Sequence, residues 1–295
     1  MYDIVRSPGD SPNKFLGSNT MDAEQTFNAF TLTDTGFNLA TDNVYFNEED
    51  QSYVAWNWKA GGTGVTNNDG TIESQVSANP EAGFSVVSYD GNSTAGATVG
   101  HGLSQAPEMM LVKCKNYAGS SYQWFVYHKD ILNSTVLILN ANNSVISAGN
   151  AWNSTDPDNS VFTLGTNGSV NVNTGEYINY CFNSVEGYSK IGSYTGNSNV
   201  NGTFVYTGFK PAYVMIKNVT QASDWMMFDN TRNPYNATDK YLQPNMGSAE
   251  ASGIGEGVDL VSNGFKLRSS NLTVNGNTHI YMAFAEQPFK NANAR

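Results

Sequence analysis

Charge is the first thing this chain is short of. Asp, Glu, Lys and Arg make up 14% of its 295 residues, well under the ~25% usual for a soluble domain. The 26 acidic residues outnumber the 15 basic ones, for a net charge of −11. No basic run exists, so a phosphate backbone meets no electrostatic footprint and nucleic-acid binding is not expected. Acidity of this kind keeps a crowded assembly soluble. No apolar run reaches the ~18 residues of a membrane span. The opening Met1-Tyr-Asp-Ile-Val-Arg6 lacks the apolar core of a signal peptide.

Reactive side chains are equally sparse. Two cysteines, Cys114 and Cys181, exclude a disulfide framework. They read as small buried hydrophobes, with a single disulfide as the alternative. The histidines His101, His128 and His279 lie far apart, and neither H-x-x-x-H nor C-x-x-C occurs, so no metal site is expected from them. His101, in Val99-Gly-His-Gly-Leu103, reads as a turn residue with a hydrogen-bonding ring. There is no G-x-S-x-G elbow and no phosphate-cradling loop. Glu176, Glu186, Asp224 and Asp229 could pair as glycosidase carboxylates, but any chain with 26 acids supplies such pairs. Asp156-Pro-Asp158-Asn159 and Asn67-Asn-Asp-Gly70 cluster oxygens without EF-hand spacing. They read as turn chemistry, with an irregular calcium site as the alternative. The expectation is a protein that is not an enzyme and needs no cofactor.

What is present is a β vocabulary. Apolar residues are 39% and aromatic residues 12%. Short runs rich in Val, Ile, Phe and Tyr lie between Gly and Asn clusters, which reads as all-β. Val54, Trp56 and Trp58 alternate with small or polar residues, as do Ile178, Tyr180 and Phe182, and Ile280, Met282 and Phe284. Each triplet therefore falls on one face of a strand, toward a core. Residues 241–256 could hold one short helix, against which their glycines weigh.

The strand blocks repeat after about 100 residues. Ala106-Pro-Glu-Met-Met-Leu-Val-Lys113 returns as Lys210-Pro-Ala-Tyr-Val-Met-Ile-Lys217, and Trp124-Phe-Val-Tyr-His128 as Trp225-Met-Met-Phe-Asp229. Val161-Phe-Thr-Leu164 returns as Gly264-Phe-Lys-Leu267, and Ile178-Asn-Tyr-Cys-Phe182 as Ile280-Tyr-Met-Ala-Phe284. The front carries only the later half of this unit. Met1-Tyr-Asp-Ile-Val-Arg6 aligns with Met227-Phe-Asp-Asn-Thr-Arg232, and Val54-Ala-Trp-Asn-Trp58 with Ile178–Phe182. The expected organisation is a half-repeat at 1–60, a flexible Gly/Asn-rich linker at 61–82, and full repeats at 83–187 and 188–295. Each full repeat is expected to be a β-sandwich or jelly-roll-like module. A half-sandwich exposes core and strand edges, so another chain is expected to complete residues 1–60. Trp124 and Trp225 stand in apolar runs and read as core. Trp152, in polar Asn150-Ala-Trp-Asn-Ser-Thr155, is the candidate exposed ligand contact.

Several blocks resemble a repeat family of uncharacterised function in structural proteins of marine tailed bacteriophages. They are Tyr53-Val-Ala-Trp-Asn-Trp-Lys-Ala-Gly-Gly62, Ala97-Thr-Val-Gly-His-Gly-Leu103, Gly192-Ser-Tyr-Thr-Gly-Asn197 and Ile280-Tyr-Met-Ala-Phe-Ala-Glu286. In longer members that repeat often follows a concanavalin A-like lectin domain. The resemblance implies a virion surface protein, assembled in the host cytoplasm: a tail-fibre, spike or appendage subunit. It further implies host-surface glycan as recognition partner and a homo-oligomer, a trimer by analogy with phage fibres. A purely architectural capsid decoration or head fibre is the alternative, and a glycan-degrading enzyme the second. The family carries no known site residues to transfer.

Overall fold

The computed structural model of the chain describes residues 1–7, 14–26, 30–33, 36–39, 45–253, 255 and 257–287. The front segment holds β1 (Lys14–Phe15), β2 (Gln25–Thr26), β3 (Phe30–Thr33) and β4 (Gly36–Leu39). The middle unit runs through β5 (Val65–Asn67), β6 (Ser74–Asn79), β7 (Phe84–Asp90), β8 (Ala97–Gly100), β9 (Met109–Cys114) and β10 (Phe125–His128). It continues with β11 (Thr135–Ile138), β12 (Ile146–Ser147), β13 (Val161–Leu164), the one-turn helix α1 (Gly168–Asn171) and β14 (Glu176–Phe182). The last unit holds β15 (Ser189–Thr195), β16 (Phe204–Tyr206), β17 (Pro211–Asn218), β18 (Met226–Asp229), β19 (Lys240–Tyr241) and β20 (Ala251–Ser252). It ends with β21 (Val258–Val261), β22 (Gly264–Leu267), α2 (Leu272–Asn275) and β23 (Thr278–Ala285). The chain is all-β, as expected.

The two full units share one plan. The middle unit's main sheet contains the run β10-β9-β14-β7, and the last unit's main sheet is β18-β17-β23-β15, in the same order. Each main sheet is faced by a smaller one, β13-β8 in the middle unit and β16-β22-β21 in the last. The one-turn helices correspond as well. Asn167 caps α1 by accepting from the Ser169 amide, and Asn271 caps α2 by accepting from the Thr273 amide. Buried Asn171 and Asn275 hold the loop after the first main strand, accepting from the Asn92 and Asn197 amides. The preceding glycines lie against the helix backbone: a Cβ on Gly91 would sit 2.3 Å from the Val172 carbonyl oxygen, and one on Gly196 2.4 Å from that of Asn275. That close approach explains the recurring Gly-Asn pair.

The main sheets bury both faces. In β14, Tyr177 and Cys181 enter the middle unit's own sandwich core. Ile178, Tyr180 and Phe182 point the other way, into a central core shared with the last unit. In β23, Tyr281 and Ala283 face the last unit's sandwich. Ile280, Met282 and Phe284 meet the central core from the opposite side. The predicted triplets thus do share a face, and it is the face between units. The opposite face is apolar too, so strands such as β9 are buried at every position. Each fully buried large side chain adds about 1.5–3 kcal/mol, so the central core ties the units into one body.

Two expectations change. Residues 61–82 are no flexible linker: β5 and β6 extend the middle unit's sheet to eight strands. Val76 and Ser77 are buried within it, and Ser77 Oγ donates to the Gly62 carbonyl. Residues 241–256 hold no described helix; β19 and β20 pair there instead. The front half-unit is covered on its inner face by its own chain. Leu16 is 1% exposed in the central core, and Met1, Val5, Trp56 and Trp58 pack against the same core. Among the described residues no helix is long and apolar enough to cross a membrane.

Candidate functional site

The chemistry of this chain concentrates where units meet. Lys113 in β9 and Trp124 just before β10 reach across to the front half-unit. Trp124 Nε1 donates to the Gly17 carbonyl (2.8 Å), and Lys113 Nζ to those of Met21 (3.3 Å) and Tyr122 (2.7 Å). The Gly119 amide donates to the Met21 carbonyl, and the Glu24 amide to that of Lys115. The next joint repeats the pattern. Trp225 Nε1 donates to the Ile138 carbonyl (2.9 Å), and Lys217 Nζ to those of Asn142 (3.1 Å) and Ser223 (2.5 Å). The Ser223 amide donates to the Asn142 carbonyl, and the Val145 amide to that of Val219. Burial pulls both ammonium groups down from 10.5 to about 8. They stay protonated at neutral pH and bind neutral carbonyls as charge-assisted donors.

A second motif recurs in the late halves. Asp3 Oδ1 accepts from the Val5 and Arg6 amides, while Asp3 Oδ2 pairs with Arg6 Nε at 2.5 Å. Arg6 also pairs with Glu24, and Glu24 with Lys14. Asp229, Arg232, Glu250 and Lys240 form the same chain of contacts in the last unit. The two arginines reach equivalent strands. Arg6 Nη2 donates to Tyr180 Oη in β14 (3.1 Å). Arg232 lies 5.6 Å from the Trp56 ring centroid, and Trp56 occupies the place of Tyr180 in the front half-unit. The front half-unit therefore leans on the middle unit, the middle on the last, and the last back on the front. The three are arranged cyclically around the central core.

A family model described as a domain of unknown function, DUF7483, matches residues 1–288. The chain belongs to this family. No curated protein and no solved structure matches it.

The remaining reactive groups of this family member are built into its fold. His101 is buried in its turn, as expected: Nδ1 accepts from the Leu103 amide and Nε2 faces the Asp158 carbonyl at 3.1 Å. His279 stacks on Tyr194 at 4.9 Å, with Nε2 toward the Leu272 and Thr273 carbonyls. His128 Nδ1 accepts from the Asp130 amide, taking the role that Asp229 has in the last unit, and its Nε2 is buried. Burial lowers the pKa of all three rings, to about 4 for His128 and His279. Cys114 and Cys181 are free and buried, and burial raises both thiols. They stand on adjacent strands, but Cys114 lies opposite Tyr177, four positions from Cys181. At ~3.3 Å per residue that offset is too long for a bridge.

Trp152 is not an exposed contact. It is 1% exposed in the middle unit's sandwich core, edge-on to Tyr127 at 6.0 Å. The polar stretch around it misled: the backbone turns there, and positive-φ Asn153 and Ser154 carry the polar side chains outward. The suspected calcium oxygens are engaged in turns. Asp158 accepts from the Ser160 and Val161 amides, Asp156 from Tyr127 Oη, and Asn159 from the Ala106 amide. Asp224 accepts from Gln243 and Asn245, and Glu176 pairs with Lys115. Among the described residues no three His, Cys, Asp or Glu side chains gather as metal ligands. The residues that join the units, Lys113, Lys217, Arg6 and Arg232, were not singled out from sequence. The signal was there: a lysine at the same place in two otherwise apolar strands.

Proposed function

We propose that this chain is a structural component of a surface assembly: a virion surface protein of a tailed phage, as a tail-fibre, spike or appendage subunit. The resemblance of its repeat blocks and its low-charge, Asn/Gly-rich surface support this reading. The observation that carries the structural role is the use of the reactive groups. The histidines, cysteines and buried lysines are committed to turns, cores and joints between units. Self-association as a trimer and recognition of host-surface glycan belong to the proposal. Burial of Trp152 favours the architectural alternative, a capsid decoration or head fibre. Exposed aromatics on the edge strand β16, Phe204 and Tyr206, are the better candidates for sugar stacking. Immunogold labelling of purified particles with antibody to the chain tests the location, and a glycan array of the purified protein tests recognition. Labelled particles with an empty array select the architectural role. Unlabelled particles, or release of reducing ends from host polysaccharide, refute the proposal.

A further inference from the structure

Of the three joints in the cyclic arrangement, described residues fill two. At the filled joints a late half offers two carbonyls and an amide: Gly17, Met21 and Glu24, then Ile138, Asn142 and Val145. The matching atoms of the last unit are the Gln243 and Gly247 carbonyls and the Glu250 amide, since Leu242 pairs with Met227 as Leu16 pairs with Met1. Among the described residues no Trp or Lys donates to them: the Gln243 carbonyl accepts the Met246 amide alone, and Met246 is 45% exposed.

Two further observations fall on the same place. Residues 54–58 match β14 and β23, each of which is hydrogen-bonded along both edges, to β7 and β9 or to β15 and β17. Residues 54–58 turn Val54, Trp56 and Trp58 inward, yet among the described residues no backbone hydrogen bond reaches them on either edge. The sandwich above them is open as well: Gly36-Phe-Asn-Leu39 matches Gly264-Phe-Lys-Leu267, and Leu39 is 38% exposed where Leu267 is 0%. Trp56 is also where the last unit's Arg232 meets the front half-unit.

We propose that this gap is a strand-addition site for the early half of a like repeat unit. Its two strands would flank residues 54–58, its tryptophan would donate to the Gln243 carbonyl and its lysine to the Gly247 carbonyl. The occupant's chemistry is read from the two filled joints. A second copy of this chain does not supply it, because both of its early halves are engaged in their own units. Main-chain pairing gives such a site affinity, and the inward pockets give it specificity. This inference rests on the gap alone and does not depend on a phage origin.

The test uses the full chain and a synthetic peptide copying Thr207–Met226, which carries β17, Lys217 and Trp225. Titration by fluorescence anisotropy and hydrogen exchange of the mixture are the readouts. The expected result is saturable 1:1 binding with new protection at residues 54–58. A peptide with Lys217→Ala and Trp225→Ala should bind at least tenfold more weakly. Absence of saturable binding, protection confined to another edge such as β16, or equal binding of the substituted peptide would each overturn the proposal. So would a dimer of the chain alone, seen by sedimentation, with residues 54–58 already protected.

Discussion

His128 and His279 should make this protein lose stability as the pH falls from 6.5 toward 4. Both rings are fully buried, and burial holds their pKa at about 4 against 6.5 in an unfolded chain. Above pH 6.5 both states are neutral at these sites and nothing is lost. Below it the unfolded chain takes up a proton that the folded one refuses, so unfolding is favoured. The loss per ring is about 2 kcal/mol at pH 5 and about 3 kcal/mol at pH 4. The pair therefore removes roughly 4 kcal/mol by pH 5, a large part of the ~5–15 kcal/mol a domain commands. Lys129 beside His128 and Lys217 near His279 add to the effect, while Asp130 and Glu108 oppose it. Urea unfolding at pH 7, 6 and 5 measures the slope. His128→Asn keeps an acceptor for the Asp130 amide, as Asp229 does for Thr231, and should remove up to about 1.4 kcal/mol per pH unit of that slope. A wild-type stability that stays flat from pH 7 to 5, or an unchanged slope in the variant, would show that these rings titrate normally and that the reasoning is wrong.

Other outcomes follow from the joints and cores. Trp225→Phe leaves the Ile138 carbonyl unsatisfied in a buried joint and should cost about 3 kcal/mol of unfolding free energy by urea titration. Trp152→Phe loses no hydrogen bond, because Trp152 Nε1 has no partner among the described residues; it should cost at least ~1 kcal/mol less than Trp225→Phe in the same assay. Cys114 and Cys181 should react with Ellman's reagent only after denaturation, and the folded protein should keep two free thiols after mild oxidation.

Much of the fold was legible because strand periodicity and the repeat speak locally. The triplet Ile178, Tyr180 and Phe182 announced a buried face, and the alignment of Met1–Arg6 with Met227–Arg232 marked two equivalent segments, though not the ion pairs that recur in them. What failed depended on neighbours. Residues 61–82 look like linker because the segment is polar and opens on a Gly- and Asn-rich stretch; β6 becomes a strand because the edge of β7 is there to pair with. Trp152 looked exposed because its chain neighbours are polar, but a turn sends them outward and the indole inward. The lysines of the joints were visible in the sequence as charges within apolar strands. Their acceptors were not, since the atoms they bind are carbonyls of a preceding half-unit, and main-chain atoms leave no mark on residue identity.

That last point bears on how such chains diversify. Donor side chains at a joint are fixed in kind, a lysine and an indole, whereas the acceptor positions are Gly17 and Met21 in one place and Ile138 and Asn142 in the other. A socket made of peptide oxygens accepts the same plug whatever side chains surround it. Successive modules are thus free to drift apart in sequence, or to be duplicated and reordered, without losing the ability to dock.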